Sequence, residues 1–294
     1  MNNISLRAPA KVNLRLEVFG KRPDGFHEIK TWICPISLAD EVTLEQTNEP
    51  TVTVSSSDPD LPSGRDNLAH RAAALFLEET GINRGIKIHI LKRIPVAAGL
   101  GGGSSDAAAV LRGMNMLWET NLSQERLMEV GAVLGSDVPF FVLGRAAVMG
   151  GRGERLVALL PPVQTWMVVI NPGVPLSTQK VYETGGWGLT KPGRDTKIVV
   201  YPQDREKLRH FLHNDLERPA IWLMPVIDKA KRCLRGVGAH GTLMAGSGPS
   251  VFGLFPGQKE ARQAVRSLTM EGGWVPYVAR TIVKPLAGWG VVKR

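Results

Sequence analysis

The chain has 294 residues, a formal net charge of +9 and a hydrophobic content of 43%. Such a chain can bury ordinary globular cores, as one large domain or as two medium ones. Its basic residues form no run of five or six, which argues against a nucleic-acid partner and leaves phosphorylated small molecules as candidates.

The two cysteines, Cys34 and Cys233, lie far apart in the sequence and form no CxxC pair. We therefore expect neither a disulfide framework nor a structural metal site. The amino-terminal segment has no apolar signal core, and no apolar stretch approaches the ~20 residues that span a bilayer. These features predict a cytoplasmic protein without a membrane partner.

Apolar and polar residues alternate in several short segments of the first half, the pattern of half-buried strands. A PDG turn at 23–25 separates the first two segments, since proline fixes φ and glycine accepts the left-handed region. The segments 41–45 and 51–55 are expected to form a further β pair. The predicted strands of this half cover 10–18, 29–36, 41–45, 51–55 and 86–90.

Helical spacing of apolar residues follows the strand patterns. Asp66 or Asn67 can cap a helix over 68–79, and Ser123 can cap one that ends near Gly135. Between these two helices, apolar residues recur at helical spacing over 107–117, directly after a cluster of glycines. This cluster therefore lies between a strand and the start of a helix.

The second half opens with a buried strand run within 166–174, and prolines interrupt the pattern just before it. We place a domain boundary near residue 160, which gives domains 1–160 and 161–294. Both halves have mixed α+β content, and no repeat period is evident. The remaining predicted elements are helices over 203–213, 219–235 and 258–269, and short strands around 242–255 and 275–283.

The glycine cluster is the most informative feature, because four of the five positions 99–103 are glycine. A helix begins with amide groups that have no intrahelical partner, and its dipole is positive there. Glycines let a ligand come close to that backbone, so the segment predicts a phosphate site. Ser104 and Ser105 add hydroxyl donors, whereas Asp106 is expected to be a first-turn helix residue. The alternative is a turn that merely lets the helix pack on the sheet, but one or two glycines would suffice for that.

Two other glycine motifs are not supported. The sequence contains no GxxxxGK[ST] segment, so a P-loop is excluded. The segment GVGAHG at 236–241 has the letters of a dinucleotide fingerprint, but it follows a predicted helix and leads into a strand. This reversed order favours a helix end followed by a turn.

Three segments in order resemble the motifs of the GHMP kinases, the family of galactokinase and of homoserine, mevalonate and phosphomevalonate kinases. They are PAKVNL at 9–14, PVAAGLGGGSSDAAA at 95–109 and AGSGPSVFGLF at 245–255. The resemblance implies an α+β fold with a first domain like ribosomal protein S5 domain 2 and a ferredoxin-like second domain. It also implies transfer of a phosphoryl group from ATP to an alcohol in the cleft between them.

Longer stretches spread over most of the chain resemble one branch of the family, whose small-molecule substrate carries a cytidine diphosphate group. These stretches are PAKVNLRLEVFGKRPDGFHEI, RDNLAHRA, GSDVPFFVLGRAAVMGGRGERL, NPGVPLST and NDLERPA. The resemblance places Asn67 near adenine and the triphosphate along the glycine segment. The implied ATP-binding residues are Asn67, Pro95, Val96, Ala97, Ala98, Gly99, Leu100, Gly101, Gly102, Gly103, Ser104 and Ser105.

The same resemblance implies that Asp137 is the catalytic base and that Lys11 keeps it ionised. Taken alone, an aspartate before Pro139 reads as a helix N-cap. Lys11 and Asn13 lie on the same face of their strand, with Cβ atoms about 6.6 Å apart. This face can be solvated, or it can form part of one site. The family match favours the site, with Asn13 binding substrate.

Cytosine recognition needs a flat partner and directional hydrogen bonds. The resemblance implies that Phe26 stacks on the base, that His27 reads its edge, and that Tyr182, four residues after Thr178, covers the opposite face. The family commonly has tyrosine where this chain has Phe26, so stacking is retained and a phenol hydrogen bond is lost. The predicted substrate-binding residues are Asn13, Phe26, His27, Thr178 and Tyr182.

ATP chemistry implies Mg²⁺, but the sequence shows no carboxylate cluster that would name its ligands. His210 and His213 are three apart on a predicted helix and lack a third ligand, which argues against a metal pair. We expect a monomer or weak homodimer. Two alternatives stay open: a GHMP kinase for another small alcohol, and a basic RNA-binding protein with an S5-like domain and a relic nucleotide loop.

Overall fold

The computed structural model describes residues 2–161, 163–185, 201–202, 204–269 and 271–284, which form eleven strands and nine helices. The strands are β1 (Asn3–Lys21), β2 (His27–Thr47), β3 (Val52–Ser56), β4 (Gly85–Leu91), β5 (Ala147–Gly150), β6 (Arg155–Leu159), β7 (Trp166–Asn171), β8 (His213–Asn214), β9 (Gly241–Met244), β10 (Val251–Phe255) and β11 (Val275–Arg280). The helices are α1 (Leu68–Thr80), α2 (Gly102–Leu117), α3 (Gln124–Leu134), α4 (Val138–Leu143), α5 (Thr178–Thr184), α6 (Arg205–Phe211), α7 (Glu217–Leu223), α8 (Val226–Gly236) and α9 (Gln258–Ser267).

The first sheet is built on the long antiparallel hairpin of β1 and β2. Its strand order is β3-β4-β2-β1-β8, and β5 pairs with β2 and with β6. The predicted strands 10–18 and 29–36 are confirmed as parts of this hairpin, and the predicted turn between them holds, with Gly25 at φ 86°.

The expected pairing of 41–45 with 51–55 is wrong, because β4 lies between these segments. Val42 is opposite Ile90 of β4 in an antiparallel register, and Val52 is opposite Ile86 of β4 in a parallel one. Because β4 is central, it has a hydrogen-bonded strand on each edge. Its isoleucines are fully buried. The more polar β3 takes the edge of the sheet.

Helices α1 and α2 pack on one face of this sheet, and α3 and α4 pack against α2. The predicted caps are confirmed: Asn67 Oδ1 accepts from the Ala69 amide at 2.8 Å, and Ser123 Oγ accepts from the Arg126 amide at 3.1 Å. The core between helices and sheet is mainly aliphatic, with buried phenylalanine rings from α1 and α4. Its fully buried members include Leu6, Leu44, Phe76, Ile86, Ile88, Ile90, Val110 and Met114.

The second sheet is antiparallel, with the order β11-β7-β10-β9. The expected single helix over 219–235 is wrong, because the chain breaks into α7 and α8 at Met224 and Pro225. Proline disfavours helical conformation in the residue before it, and Met224 is at φ −145° and ψ 83°. The predicted helix 203–213 is shorter than expected: it ends at Phe211, and residue 203 lies outside the described residues.

The two sheets share a core and are linked along β1. Strand β8, from the second half of the chain, pairs in parallel with β1 at Leu16, and Thr281 forms a bridge with Ile36. Buried residues of β1 pack with residues of β7 and β10 in one cluster. The expected boundary near 160 falls between β6 and β7, and the division into domains 1–160 and 161–294 stays a prediction. Across the described ranges, every helix is too short or too polar to cross a membrane.

Candidate active site

The glycine segment forms a tight loop that follows β4 and continues into the first turn of α2; we call residues 95–104 the phosphate loop. Gly99 and Gly101 have φ values of 74° and 72°, in the left-handed region. A Cβ at Gly99 would lie 2.3 Å from the carbonyl oxygen of Ala245 and 2.7 Å from that of Gly248. Glycine is therefore required at position 99 by both its conformation and its neighbours.

The amino terminus of α2 supplies the groups that the sequence predicted for an anion. Gly101 occupies the N-cap position, and the Ser105 amide makes the first helical bond, to the Gly101 carbonyl at 2.9 Å. The amides of Gly102, Gly103 and Ser104 belong to the first turn and have no acceptor within the helix. With the positive end of a sixteen-residue helix, they form an anion-binding surface.

Two adjoining cavities meet at the phosphate loop. The larger cavity, about 700 Å³, contains all the predicted catalytic and substrate residues, and the smaller one, about 500 Å³, contains Asn67 and most of the loop. The cavities share Gly99, Gly101, Ser104 and Thr178. The predicted lining residues of the larger cavity are Lys11, Asn13, Phe26, His27, Asp137, Thr178 and Tyr182.

A short polar chain crosses the floor of the larger cavity. Lys11 Nζ donates to Asn13 Oδ1 at 2.8 Å and lies 3.5 Å from Asp137 Oδ2. Asn13 Nδ2 donates in turn to Thr31 Oγ1 at 2.7 Å. Lys11 is buried, whereas the Asp137 side chain is 35% exposed. Asp137 stands at the N-cap position of α4 but makes no capping hydrogen bond, so its carboxylate is available to the cavity.

Aromatic side chains line the outer part of this cavity. Phe26 is half exposed on the turn between β1 and β2, and the Arg152 guanidinium lies 4.8 Å from its ring centroid. The His27 and Tyr182 rings are stacked, with centroids 4.9 Å apart and planes 24° from parallel. Sequence reasoning placed Tyr182 opposite Phe26 with His27 at the edge, and the structure brings Tyr182 against His27.

Burial favours the neutral forms of His27 and Tyr182. It lowers the pKa of His27, and the nearby Lys21 charge lowers it further. Burial also raises the pKa of Tyr182, and the negative charge of Asp137 raises it further. At neutral pH, His27 therefore presents a neutral imidazole and Tyr182 a neutral phenol.

Three predicted ATP-binding residues are placed in less direct ways. The Ser105 hydroxyl is buried and lines neither cavity, and Leu100 is buried, with its carbonyl accepting from the Lys11 amide at 3.0 Å. Asn67 both caps α1 and lines the smaller cavity. The cap and the predicted adenine-side position are thus compatible.

The histidines at 210 and 213 do not form a pair on one helix. His210 ends up in α6 beside Arg209, whereas His213 lies in β8 and contacts Asp215 Oδ1 at 2.8 Å. Among the described residues, no group of three or more histidine, cysteine or acidic side chains could hold a metal ion.

Sequence reasoning missed a buried ionic cluster under the phosphate loop. Lys92 Nζ donates to Asp40 Oδ2 at 2.5 Å and to Asp106 Oδ2 at 2.9 Å. Asp40 Oδ1 also accepts from the amides of Arg93 and Ile94. Burial raises the pKa of Asp106, and the Lys92 charge opposes that rise. The expected first-turn place of Asp106 is wrong, because no acidic residue lies in the first turn of α2; Asp106 is instead a buried partner of Lys92. The three positions of the cluster are too distant in sequence to have been linked.

The 245–250 loop, part of the third family motif, borders the larger cavity. Ser247 Oγ lies 2.7 Å from Thr178 Oγ1, and Gly246 and Ser247 line the larger cavity. Arg152 also lines this cavity, at a position that the sequence did not predict for the site.

Comparison with known proteins shows the family to which the chain belongs. The family model for the GHMP kinases N terminal domain matches residues 67–145, and that for the GHMP kinases C terminal matches 200–272. Two curated relatives named 4-diphosphocytidyl-2-C-methyl-D-erythritol kinase come from Geobacter metallireducens and Alkaliphilus metalliredigens. The first is 46% identical, covering 96% of this chain and 100% of the relative; the second is 40% identical, covering 92% and 94%.

Solved structures extend the comparison to three dimensions. A crystal structure of 4-(cytidine 5'-diphospho)-2C-methyl-D-erythritol kinase matches with a TM-score of 0.77 and 37% identity, covering 95% of this chain and 99% of that one. Homoserine kinase from Cytophaga hutchinsonii matches with a TM-score of 0.68 and 21% identity, covering 96% and 98%, and so shows a shared fold. The expected α+β fold is confirmed by these matches, and the chain belongs to the GHMP kinase family.

Proposed function

We infer that the chain phosphorylates the 2-hydroxyl of 4-diphosphocytidyl-2-C-methyl-D-erythritol with ATP, giving the 2-phosphate and ADP. This step belongs to the non-mevalonate route to isoprenoid precursors. The names of the full-length relatives support the substrate. The observation that carries the inference is the larger cavity, in which an aspartate, a lysine and a group of aromatic rings adjoin the phosphate loop.

On the ATP side, the phosphate loop would hold the triphosphate. Gly101 and Ser104, at the start of α2, line both cavities, so the terminal phosphate would meet the acceptor beside them. Lys11 adds positive charge at the same place. Because phosphoryl transfer depends mainly on positioning and on charge stabilisation, these groups supply the principal catalytic effects.

On the acceptor side, Asp137 would accept a hydrogen bond from the 2-hydroxyl and take its proton. An aspartate is a weak base, and in a loose transition state the proton leaves late. Asp137 therefore orients the hydroxyl oxygen toward the terminal phosphate as much as it removes the proton. Lys11 forms an ion pair with this carboxylate at 3.5 Å, and Asn13 positions Lys11.

The cytidine group would bind among Phe26, His27 and Tyr182. The exposed face of Phe26 is available for stacking, and a neutral His27 can donate or accept at the edge of the base. Tyr182 would move from its contact with His27 to cover the second face of the ring, a side-chain adjustment common at binding sites.

We propose Mg²⁺ as the accompanying ion, held largely by ATP and water. The described residues offer Asp137 and the Ser104 hydroxyl near the junction but no acidic cluster, a set that suits an ion carried in by the nucleotide. When bound, the ion neutralises charge on the phosphates. A cytoplasmic location and a monomer or weak homodimer remain predictions from the sequence.

A substrate panel tests the proposed function. The chain is incubated with ATP, Mg²⁺ and, separately, the cytidylyl substrate, mevalonate and homoserine, and phosphorylated products are followed by ³¹P NMR. We expect turnover of the cytidylyl compound, with a new monophosphate ester signal. Faster turnover of either smaller alcohol would favour the alternative of a kinase for another alcohol. Absence of any turnover, together with salt-dependent RNA binding, would favour the RNA-binding alternative.

A further inference from the structure

Asn214 is a buried side chain whose three hydrogen bonds all go to backbone groups. Its Nδ2 donates to the carbonyl oxygens of Met244 at 3.0 Å and Gly246 at 2.8 Å, and its Oδ1 accepts from the Leu216 amide at 2.9 Å. The residue is 7% exposed and lines neither cavity. It therefore can act on the reaction only through the segments that it joins.

The backbone of Asn214 is fixed to the strand that carries Lys11 and Asn13. Asn214 pairs with Leu16 of β1, and the Asp215 amide donates to the Leu16 carbonyl at 3.1 Å. Asp215 Oδ2 accepts from the Val18 amide at 2.8 Å. These hydrogen bonds fix the backbone of Asn214, and with it the side-chain amide, to strand β1 of the first sheet.

The loop that Asn214 holds packs directly on the catalytic groups. A Cβ at Gly246 would lie 2.9 Å from the Gly99 carbonyl oxygen and 2.9 Å from Lys11 Nζ, so these groups are in close contact with the loop backbone. Displacement of the Gly246 carbonyl would loosen the support behind both the phosphate loop and Lys11.

We propose that Asn214 is a positioning residue for phosphoryl transfer, which fixes the 245–250 loop against the phosphate loop and Lys11. The proposal rests on the proposed function. It assigns no contact between Asn214 and either substrate. Because a misplacement of about 1 Å can cost on the order of 100-fold in rate, losing two hydrogen bonds to this loop is expected to lower kcat strongly.

The test replaces Asn214 by aspartate, which keeps the size and the acceptor for Leu216 but presents an anion to two carbonyl oxygens. Initial rates with ATP, Mg²⁺ and the cytidylyl substrate are measured per mole of folded protein. We expect kcat to fall on the order of 10- to 100-fold. The KM of the acceptor should stay within about threefold, because the aromatic residues that bind it are not touched. If Asn214→Asp does not fold, Asn214→Ser is measured in its place.

Asn115→Asp is the matched control. Asn115 also joins backbone groups, donating to the Leu122 carbonyl at 3.1 Å and accepting from the Leu122 amide at 2.9 Å, but it lies at the far end of α2. A merely structural role for Asn214 predicts that both variants lose stability and keep kcat. Wild-type kcat in the folded Asn214 variant would overturn the proposal.

A second measurement separates this proposal from the proposed function. The affinity for a non-hydrolysable ATP analogue with Mg²⁺ is measured by calorimetry and does not depend on the acceptor. We expect it to weaken about tenfold in the Asn214 variant and to stay unchanged in Asn115→Asp. If the wild-type chain does not turn over the cytidylyl compound, the proposed function fails, and this measurement still decides on Asn214. Gly246→Ala, which crowds Lys11 from the loop side, should reproduce the loss; full wild-type affinity in both loop-directed variants would contradict the proposal.

Discussion

Asp137 illustrates how a local signal and a distant contact compete for one side chain. Its place before Val138 and Pro139 favours a helix cap, and the backbone does begin α4 there. The carboxylate nevertheless makes no cap and approaches Lys11, which lies 126 positions earlier on β1. Spacing along the sequence could not reveal this pair; the family resemblance predicted it.

Replacing Asp137 by asparagine tests its role directly. The variant keeps the size of the side chain but removes the group that accepts the hydroxyl proton, so kcat should fall about 10²- to 10⁴-fold. The affinity for the ATP analogue should change little, because the phosphate loop is intact. Steady-state rates and calorimetry measure the two quantities. Asp60→Asn, on an exposed loop, is the control, and near-normal rates in Asp137→Asn would exclude Asp137 as the base.

The two cysteines are expected to differ in reactivity. Complete burial raises the pKa of Cys34 to about 12, so its thiol stays neutral and shielded at pH 8. Cys233 is only partly buried. Iodoacetamide at pH 8 should therefore modify Cys233 in the native chain and both cysteines in urea, as mass spectrometry of peptides would show. Equal native labelling of Cys34 would contradict the burial of this part of β2.

At the level of elements, local signals located most helices and strands but not their partners. The caps at Asn67 and Ser123 and the alternation over Ile86–Ile90 depend on neighbouring residues alone, and those elements were predicted correctly. The insertion of β4 between β2 and β3 depends on contacts between distant positions, such as Glu41 and Leu91, which periodicity does not encode. The break at Pro225 had a local signal, but the apolar spacing on both sides of it suggested one helix.

Gly99→Ala tests the fit of the phosphate loop. The new methyl group would meet the Ala245 carbonyl, and the left-handed conformation alone costs roughly 1–2 kcal/mol in a residue with a side chain. We expect the dissociation constant of the ATP analogue to rise at least about tenfold. Gly64→Ala is the matched control, since a Cβ there meets nothing within 4 Å. Unchanged affinity in Gly99→Ala would show that the loop does not hold the nucleotide.

Lys92→Met tests the ionic cluster that joins β2, α2 and the start of the phosphate loop. Replacing the lysine leaves the Asp40 carboxylate buried without a counterion, which typically costs about 3–5 kcal/mol. The free energy of unfolding, from urea titration, should fall by that amount. Lys87→Met provides the comparison, because Lys87 is exposed and only 3.8 Å from Glu45, and it should change stability by less than about 0.5 kcal/mol. If the free energy of unfolding falls no more in Lys92→Met than in Lys87→Met, the cluster does not stabilise the fold as we propose.

At the scale of the whole molecule, the candidate site lies where the two sheets meet. Strand β1 carries Lys11 and Asn13 and pairs with β8 from the second half, while the 245–250 loop of the second sheet packs on the phosphate loop of the first. The three motifs that predicted the family lie far apart in the sequence and meet only here. Sequence reasoning supplied the residues of the site through resemblance. It did not supply Asn214, Lys92 or the stacking of His27 on Tyr182, because these depend on how the halves are joined.

The most direct measurement is a crystal structure with a non-hydrolysable ATP analogue, Mg²⁺ and the cytidylyl substrate bound together. We expect the triphosphate oxygens within about 3 Å of the first-turn amides of α2, and the acceptor 2-hydroxyl between the terminal phosphate and Asp137. We also expect the cytosine ring between Phe26 and Tyr182. A triphosphate bound away from residues 99–104, or an acceptor hydroxyl remote from Asp137, would contradict the proposed transfer.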